Sequence, residues 1–240
     1  MTSTSPKERY RYELKFLLNS SQAEILRYRL SLIMEQDANA IDGHYFIRSL
    51  YFDDVHDTAY YEKIDGLEER EKYRIRFYNF DHSYIMLELK GKKNNLTYKR
   101  QNKISEQDYN EIINQNYDKI NTDDRPVLKD FIDKCKRRNL IPSIIVDYNR
   151  EAYTYPVEDV RITFDEDISS GRFDYDLFSE ELLPYRALDP NEVILEVKFN
   201  HFLPKTIKKI LDTVPKTRIA MSKFALCKEK KEVWKWIYLF

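Results

Sequence analysis

Hydrophobic and polar positions alternate along much of this chain, and one stretch sets the theme. Glu192 to Phe199 reads Glu-Val-Ile-Leu-Glu-Val-Lys-Phe, apolar and β-branched enough for a strand through the middle of a fold. Yet Glu196 and Lys198 stand two residues apart and so share a face. Seven further stretches predict strands. Tyr10 to Leu17 puts Arg11, Glu13 and Lys15 on one face and Tyr12, Leu14 and Phe16 on the other. Tyr45 to Phe52 reads as a second strand. Lys72 to Tyr78 sets Lys72, Arg74, Arg76 and Tyr78 opposite Tyr73, Ile75 and Phe77, and Tyr84 to Lys90 sets Glu88 and Lys90 opposite Leu87 and Leu89. Leu96 to Ile104 carries Lys99 and Arg100, adjacent and therefore on opposite faces. Ile144 to Tyr155 aligns Tyr148, Arg150 and Ala152, and Arg161 to Asp165 aligns Arg161, Thr163 and Asp165.

Between these strands the spacing turns helical. Ser21 and Glu24 read as a capping box opening a helix with the stripe Ala23, Leu26, Leu30 and Ile33. A turn and short helix are expected from Asp53 to Ile64, and a helical region from Ser105 to about Arg138, in two pieces parted near Asp123 to Pro126. Two more helices are expected at Pro204 to Thr213 and Ser222 to Trp236. Gly91 to Asn95 reads as a break and Glu166 to Asn191 as a long acidic loop. The apolar end, Trp234, Trp236, Ile237, Tyr238, Leu239 and Phe240, is expected to pack under a barrel, with contact to a membrane or a partner as the alternative.

Composition narrows the class. A chain of 240 residues without a Pro/Gly/Ser-rich linker is expected to form a single domain, residues 1–240. Lys+Arg 40 against Asp+Glu 41 gives a net charge of -1, which argues against nucleic acid as a partner held by overall charge. Any anion site must then be a local concentration of base. Cys135 and Cys227 make no disulfide framework and fit a reducing cytosol, and the four histidines have no metal-ligand spacing. Met1 to Arg9 is polar and lacks a signal core, and no apolar run approaches the roughly 18 residues of a membrane span. A cytoplasmic protein without a transmembrane segment is expected.

The chemistry of the polar faces changes the picture. Seven of the eight expected strands carry ionic side chains at period two, and base predominates: Lys15, Arg74, Arg76, Lys90, Lys99, Arg150, Arg161 and Lys198 against Glu13, Glu88, Asp165 and Glu196. A sheet facing bulk water shows a mixed polar set instead. Eight antiparallel strands can close into a barrel that holds one ligand, and helices on its apolar outside would leave the charges within. Such a lumen is too costly unless a polyanion enters it. Guanidinium forks suit phosphate oxygens, and carboxylates suit Mg²⁺ or Mn²⁺ bridging those oxygens. The expectation is an α+β fold, an eight-stranded antiparallel closed β-barrel with helices outside and a C-terminal helix at the tunnel, built as a metal-dependent site for a phosphate chain.

The same segments resemble a known family, the VTC domain, the polyphosphate polymerase branch of the CYTH-like triphosphate tunnel metalloenzymes. The matching segments are Glu13-Leu14-Lys15-Phe16, Tyr73-Arg74-Ile75-Arg76, Leu87-Glu88-Leu89-Lys90, Tyr148-Asn149-Arg150, Arg161-Ile162-Thr163-Phe164-Asp165, Val193-Ile194-Leu195-Glu196-Val197-Lys198 and Ser222-Lys223-Phe224. The resemblance implies ATP and inorganic polyphosphate as partners and transfer of the γ-phosphoryl of ATP to a growing chain, with release of ADP. It implies phosphate binding by Lys15, Arg74, Arg76, Lys90, Lys99, Tyr148, Arg150, Arg161, Lys198, Ser222 and Lys223. The implied catalytic set is Lys15, Arg74, Arg76, Lys90, Arg150, Arg161 and Glu196. Glu196 would hold Mn²⁺ or Mg²⁺, with Glu88 as a second metal candidate. Hydrolysis of tripolyphosphate or a nucleoside triphosphate, and polyphosphate binding without turnover, stay open as alternatives.

Three departures stand out. Tunnel hydrolases and cyclases open with Glu-x-Glu-x-Lys, and here Arg11 takes the first Glu position. The family often has a Lys just before the Ser-Lys pair, where this chain has Ile219, Ala220 and Met221. The eukaryotic polymerases carry a regulatory domain and membrane spans that are not recognised here, so export of a product would need a separate membrane partner at the inner face of the membrane.

Overall fold

Strand β1 (Arg11–Asn19) runs antiparallel to two neighbours, and following the pairings from strand to strand leads back to the start. The computed structural model describes residues 9–171, 175–182 and 184–238, with side chains described up to residue 231. Its main strands are β3 (Tyr45–Asp53), β4 (Glu69–Tyr78), β5 (Ile85–Lys93), β6 (Leu96–Ile104), β7 (Ile141–Tyr155), β8 (Val160–Gly171) and β10 (Glu192–Phe199), with β1. They pair in the order β7-β3-β4-β5-β6-β1-β10-β8, and β8 pairs again with β7. All eight pairings are antiparallel. A ring of this kind leaves no long unpaired edge, and its strands have an inner and an outer face. Three short strands attach to it: β2 (Glu35–Gln36) on β7, β9 (Pro184–Arg186) on β8 and β11 (Thr217–Arg218) on β1.

The apolar faces point outward and are covered by helices. Tyr73, Ile75, Phe77, Leu87 and Leu89 of β4 and β5 pack against Leu128, Phe131 and Ile132 of α4 (Pro126–Arg138), with Tyr109 and Ile112 of α3 (Glu106–Ile113). On the other side Ile162, Phe164, Val193, Leu195 and Val197 of β8 and β10 pack against Leu26 and Leu30 of α1 (Ser20–Ser31) and Ile207 and Leu211 of α5 (Lys205–Leu211). Burying an aliphatic side chain contributes about 2 kcal/mol, so two such layers fix the outer faces and turn the alternate, charged positions inward.

The inner face is not charged throughout. Tyr45, Ile47 and Tyr51 of β3 and Ile144, Val146, Tyr148 and Ala152 of β7 form a third apolar cluster with Phe224 and Cys227 of α6 (Lys223–Tyr238). The last helix therefore starts inside the ring, against the strands that supply least base. Its position follows from Phe224, fully buried with its ring centroid 5.1 Å from that of Tyr51. The expected packing of Trp234, Trp236, Ile237, Tyr238, Leu239 and Phe240 lies outside the described side chains.

The structure corrects three local expectations. Helix α1 is capped by Asn19, not Ser21: Asn19 Oδ1 accepts the Gln22 amide at 2.9 Å, and Gln22 Oε1 accepts the Asn19 amide at 2.8 Å. Ile33 falls beyond the helix and is exposed, so the buried stripe is Ala23, Leu26 and Leu30. Strand β5 passes through Gly91 to Lys93 and turns at Asn94, which takes the left-handed conformation at φ 53. Gly91 is there because the Tyr98 ring lies across it, where any Cβ would collide. The expected loop from Glu166 is in part strand: β8 continues to Gly171, with Ile168 and Ser170 fully buried and the Ser170 hydroxyl donating to the Ile145 carbonyl at 2.8 Å. Acidic and small residues hid its alternation.

Candidate functional site

Register decides which charges meet. Lys15 stands opposite Glu196 and Glu13 opposite Lys198 across β1 and β10, and Glu196 stands opposite Thr163 across β10 and β8. Arg150 stands opposite Asp165, Arg74 opposite Glu88 and Lys90 opposite Lys99. The side chains gather around four carboxylates. Glu196 lies 3.0 Å from Lys223, 3.3 Å from Lys198, 3.4 Å from Lys15 and 3.8 Å from Arg150. Glu13 lies 3.2 Å from both Lys15 and Lys90 and 3.7 Å from Lys198. Glu88 is held by Arg74 at 2.7 Å and Lys99 at 3.2 Å, with Arg76 at 4.0 Å. Asp165 takes both arms of Arg150, at 2.6 and 2.7 Å, and also Lys223.

Bases exceed these carboxylates. Lys15, Lys72, Arg74, Arg76, Lys90, Lys99, Arg150, Lys198 and Lys223 make nine, against Glu13, Glu88, Asp165 and Glu196. The imbalance governs their protonation. Burial alone would raise the carboxyl of Glu13, but Lys90, Lys15 and Lys198 outweigh it and hold the group below the ordinary range. Burial would likewise raise Glu196, and Lys15, Lys223 and Lys198 hold it well below. The lysines divide. Burial would lower Lys15, yet Glu196 and Glu13 raise it, whereas burial brings Lys90 down to about 8 despite Glu13, with Lys15 and Lys198 adding repulsion. A polyanion would relieve that repulsion and replace lost hydration with hydrogen bonds.

The expected site residues can be placed one by one. Lys15, Arg74, Arg76, Lys90, Lys99, Arg150, Lys198, Lys223 and Glu196 come together on the inner face as described. Tyr148 accepts a hydrogen bond from Arg76 at 2.8 Å, with the Arg150 guanidinium 5.2 Å and the Lys223 ammonium 4.9 Å from its ring centroid. Ser222 is buried at the start of α6 and accepts from Lys72 at 2.9 Å. Arg161 sits apart, donating to Tyr45 at 2.7 Å and pairing with Asp37. Arg11, the residue in the unusual first position, pairs with Asp159.

Glu88 and Glu196 are not brought together, for they share no base. Glu13 stands beside Glu196 instead, and Lys15 and Lys198 each reach both carboxylates. Two carboxylates with phosphate oxygens and water fit the donor set of Mg²⁺, and of Mn²⁺ by the same hard-oxygen chemistry. Among the described residues no group of three or more His, Cys, Asp and Glu is placed to hold a metal by itself. Glu13 and Asp165 were visible in sequence as members of the charged face but without a role. Lys72 was visible in the alternation too; its place on Ser222 supplies a base from β4 where Ile219, Ala220 and Met221 supply none.

Among the described residues no helix is long and apolar enough to cross a membrane. The sequence matches no curated protein. Similar solved structures include the putative adenylyl cyclase HpAC1 from Hippeastrum, described as having a dominant triphosphatase activity, with a TM-score of 0.53 at 15% identity over 93% of this chain and 96% of that one. A putative adenylate cyclase from Bacillus halodurans also gives a TM-score of 0.53, at 14% identity over 88% of this chain and 95% of that one. At these identities the likeness shows the fold. The sequence itself matches the VTC domain over residues 10–230, and with the eight-stranded ring this match makes the chain a member of the VTC domain family.

Proposed function

We propose that this chain is a metal-dependent polyphosphate polymerase, transferring the γ-phosphoryl of ATP to a polyphosphate chain and releasing ADP, in a single cytoplasmic domain. The observation that carries this reading is the surplus of nine bases over four carboxylates gathered on the inner face of the ring. Strands held by two outer hydrophobic layers fix the bases before substrate arrives, so little reorganisation is needed as charge shifts in the transition state. The terminal oxygen of the acceptor chain forms a bond to the γ-phosphorus as the bond to the β–γ bridging oxygen breaks, and ADP leaves with that oxygen. Lys15, Arg74, Arg76, Lys90, Arg150 and Arg161 would bind and align the phosphates, with Lys99, Tyr148, Lys198, Ser222 and Lys223 as further ligands. Glu196, with Glu13 beside it, would hold Mg²⁺ or Mn²⁺, which when bound neutralises charge on the phosphate oxygens. No side-chain nucleophile is required.

A second reading, a polyphosphate-binding module without turnover, draws on the carboxylates being already engaged by bases. One assay separates them. Purified protein incubated with ATP and Mn²⁺ or Mg²⁺ is expected to make acid-labile polymer and ADP in step. ADP or phosphate release without polymer would make it a hydrolase. Tight polyphosphate binding with no turnover under either metal would make it a binding module.

A further inference from the structure

Helix α1 is apolar on two sides. Ala23, Leu26 and Leu30 pack on the strands, while Ile25, Tyr28 and Leu32 fall at i, i+3 and i+7 and make one line along the outer side. Tyr28 and Leu32 are 69% and 67% exposed, and Ile33, just past the helix, is exposed as well. An apolar line of this length on the outside of a helix marks a surface that meets something other than water. Tyr61 and Ile64 of α2 (Thr58–Ile64) are also exposed, but that helix is short and lies against α6.

Base borders this ridge. Helix α5 packs beside α1 on the same apolar layer, and its outer face carries Lys205, Lys208 and Lys209, all exposed. Phe202, 56% exposed, stands just before it, and Arg29, at i+4 from Ile25, adds a fourth base from α1 itself. Among the described residues none of these four bases has a carboxylate within ion-pair distance. The acids of the two helices are engaged: Glu24, the one carboxylate of α1, pairs with Arg27, and Asp212 at the end of α5 pairs with Lys216. A protein partner would need carboxylates matched to fixed positions. Flexible lysines on one short helix suit anions whose positions are not fixed, and apolar side chains standing out along a crest suit a soft hydrocarbon boundary.

We infer that the face formed by α1 and α5 docks the protein on an anionic membrane surface. Ile25, Tyr28 and Leu32 enter the boundary between headgroups and acyl chains, and Arg29, Lys205, Lys208 and Lys209 lie on the lipid phosphates. Charge draws the face to the bilayer, and the ridge holds it there. No membrane-spanning segment is needed for this. The face lies on the outside of the ring, so its role does not depend on what the inner face binds.

The test is cosedimentation of the full chain with vesicles of phosphatidylcholine containing phosphatidylglycerol, against vesicles of phosphatidylcholine alone. The native protein is expected to bind the mixed vesicles, less so as salt rises, and to leave the neutral ones in suspension. Lys205→Gln/Lys208→Gln/Lys209→Gln is expected to lose on the order of a hundredfold in affinity, since each base near an anionic surface counts for about fivefold. Tyr28→Ser/Leu32→Ser should lose binding even at low salt. Lys129→Gln/Lys136→Gln/Arg137→Gln removes three charges from α4, on the other side of the ring, and should bind as the native protein does. All these positions are exposed, and unchanged urea midpoints report that the variants are folded. Saturating tripolyphosphate should leave vesicle binding unchanged; displacement would put the lipid on the inner face of the ring and overturn the docking surface. No binding of the native protein to mixed vesicles, or an equal loss in the α4 variant, would overturn it too. So would a native dimer that Tyr28→Ser/Leu32→Ser turns into a monomer, which would assign the ridge to a second copy of the chain.

Discussion

Arg150 and Asp165 face each other across β7 and β8 and meet as a fork, Nε to Oδ1 at 2.6 Å and Nη2 to Oδ2 at 2.7 Å. Asp165 is fully buried and also serves Lys223, so one carboxylate compensates two bases. Removing one partner of a buried ion pair costs about 3 kcal/mol or more, because the other charge is left without compensation. Asp165→Asn keeps the shape and removes the charge, and it is expected to lower stability by about that amount in urea denaturation. Added tripolyphosphate should then raise the midpoint of the variant more than that of the native protein, since the anion takes over the missing charge. Equal shifts would show that Asp165 is no counter-ion to an anion site.

Glu196 is the carboxylate on which the largest number of bases converge, with Lys15, Lys198, Lys223 and Arg150 around it. Glu196→Gln is expected to abolish turnover while metal-free polyphosphate binding is kept or tightened, because a negative charge leaves the inner face. Glu13→Gln should raise the metal concentration needed for half-maximal activity, since the two carboxylates share Lys15 and Lys198. A fully active Glu196→Gln protein would remove Glu196 from the metal assignment.

How much of this was legible in sequence depends on which force positions a residue. The eight long strands were readable because period-two alternation is a local signal, and Arg74, Arg76, Glu88 and Lys90 appear in it directly. Their grouping was not. Glu13 meets Lys90 although β6 lies between β1 and β5 in the ring, and nothing local to either segment encodes that contact. The pairing of Lys72 with Ser222 depends on where α6 enters, which Phe224 settles by packing on Tyr51. The extension of β8 to Gly171 was masked because a register shift at Asp167, which takes the left-handed conformation at φ 52, breaks the alternation before Ile168 and Ser170 resume the buried face. Charge type was therefore readable from the chain, and charge partnership only from tertiary register.

Glu71 gives a pH dependence outside the inner face. Burial pushes its carboxyl up, but hydrogen bonds from Lys134 at 2.7 Å and Tyr98 at 2.5 Å outweigh this and hold it below the ordinary range. A carboxyl depressed by folding contributes stability that is fully present above its unfolded pKa and is lost as pH falls through the depressed value. The stability difference between the native protein and Glu71→Gln should therefore be largest near neutrality and shrink on acidification below the ordinary carboxylate range. Urea midpoints across an acid pH series measure it. A difference that stays constant with pH would mean that the Lys134 and Tyr98 contacts do not act on the ionised form.

Gly91 joins that outer network to the strand that carries Lys90. It lies opposite Tyr98 across β5 and β6, and the Tyr98 ring occupies the space where a Cβ would stand. The backbone at Gly91 is not in the left-handed region, so the constraint is steric and a substitution acts through the ring. Gly91→Ala must push Tyr98 aside, which breaks its hydrogen bond to Glu71 and disturbs its packing on Tyr10. Overpacking of this kind costs about 1–3 kcal/mol. Tyr98→Leu alone should also destabilise by losing the hydrogen bond, but Gly91→Ala/Tyr98→Leu should be more stable than the sum of the two single losses, because the smaller side chain leaves room for the methyl group. Denaturation of the four proteins closes the cycle. Strict additivity would show that the Tyr98 ring is not what keeps position 91 free of a side chain.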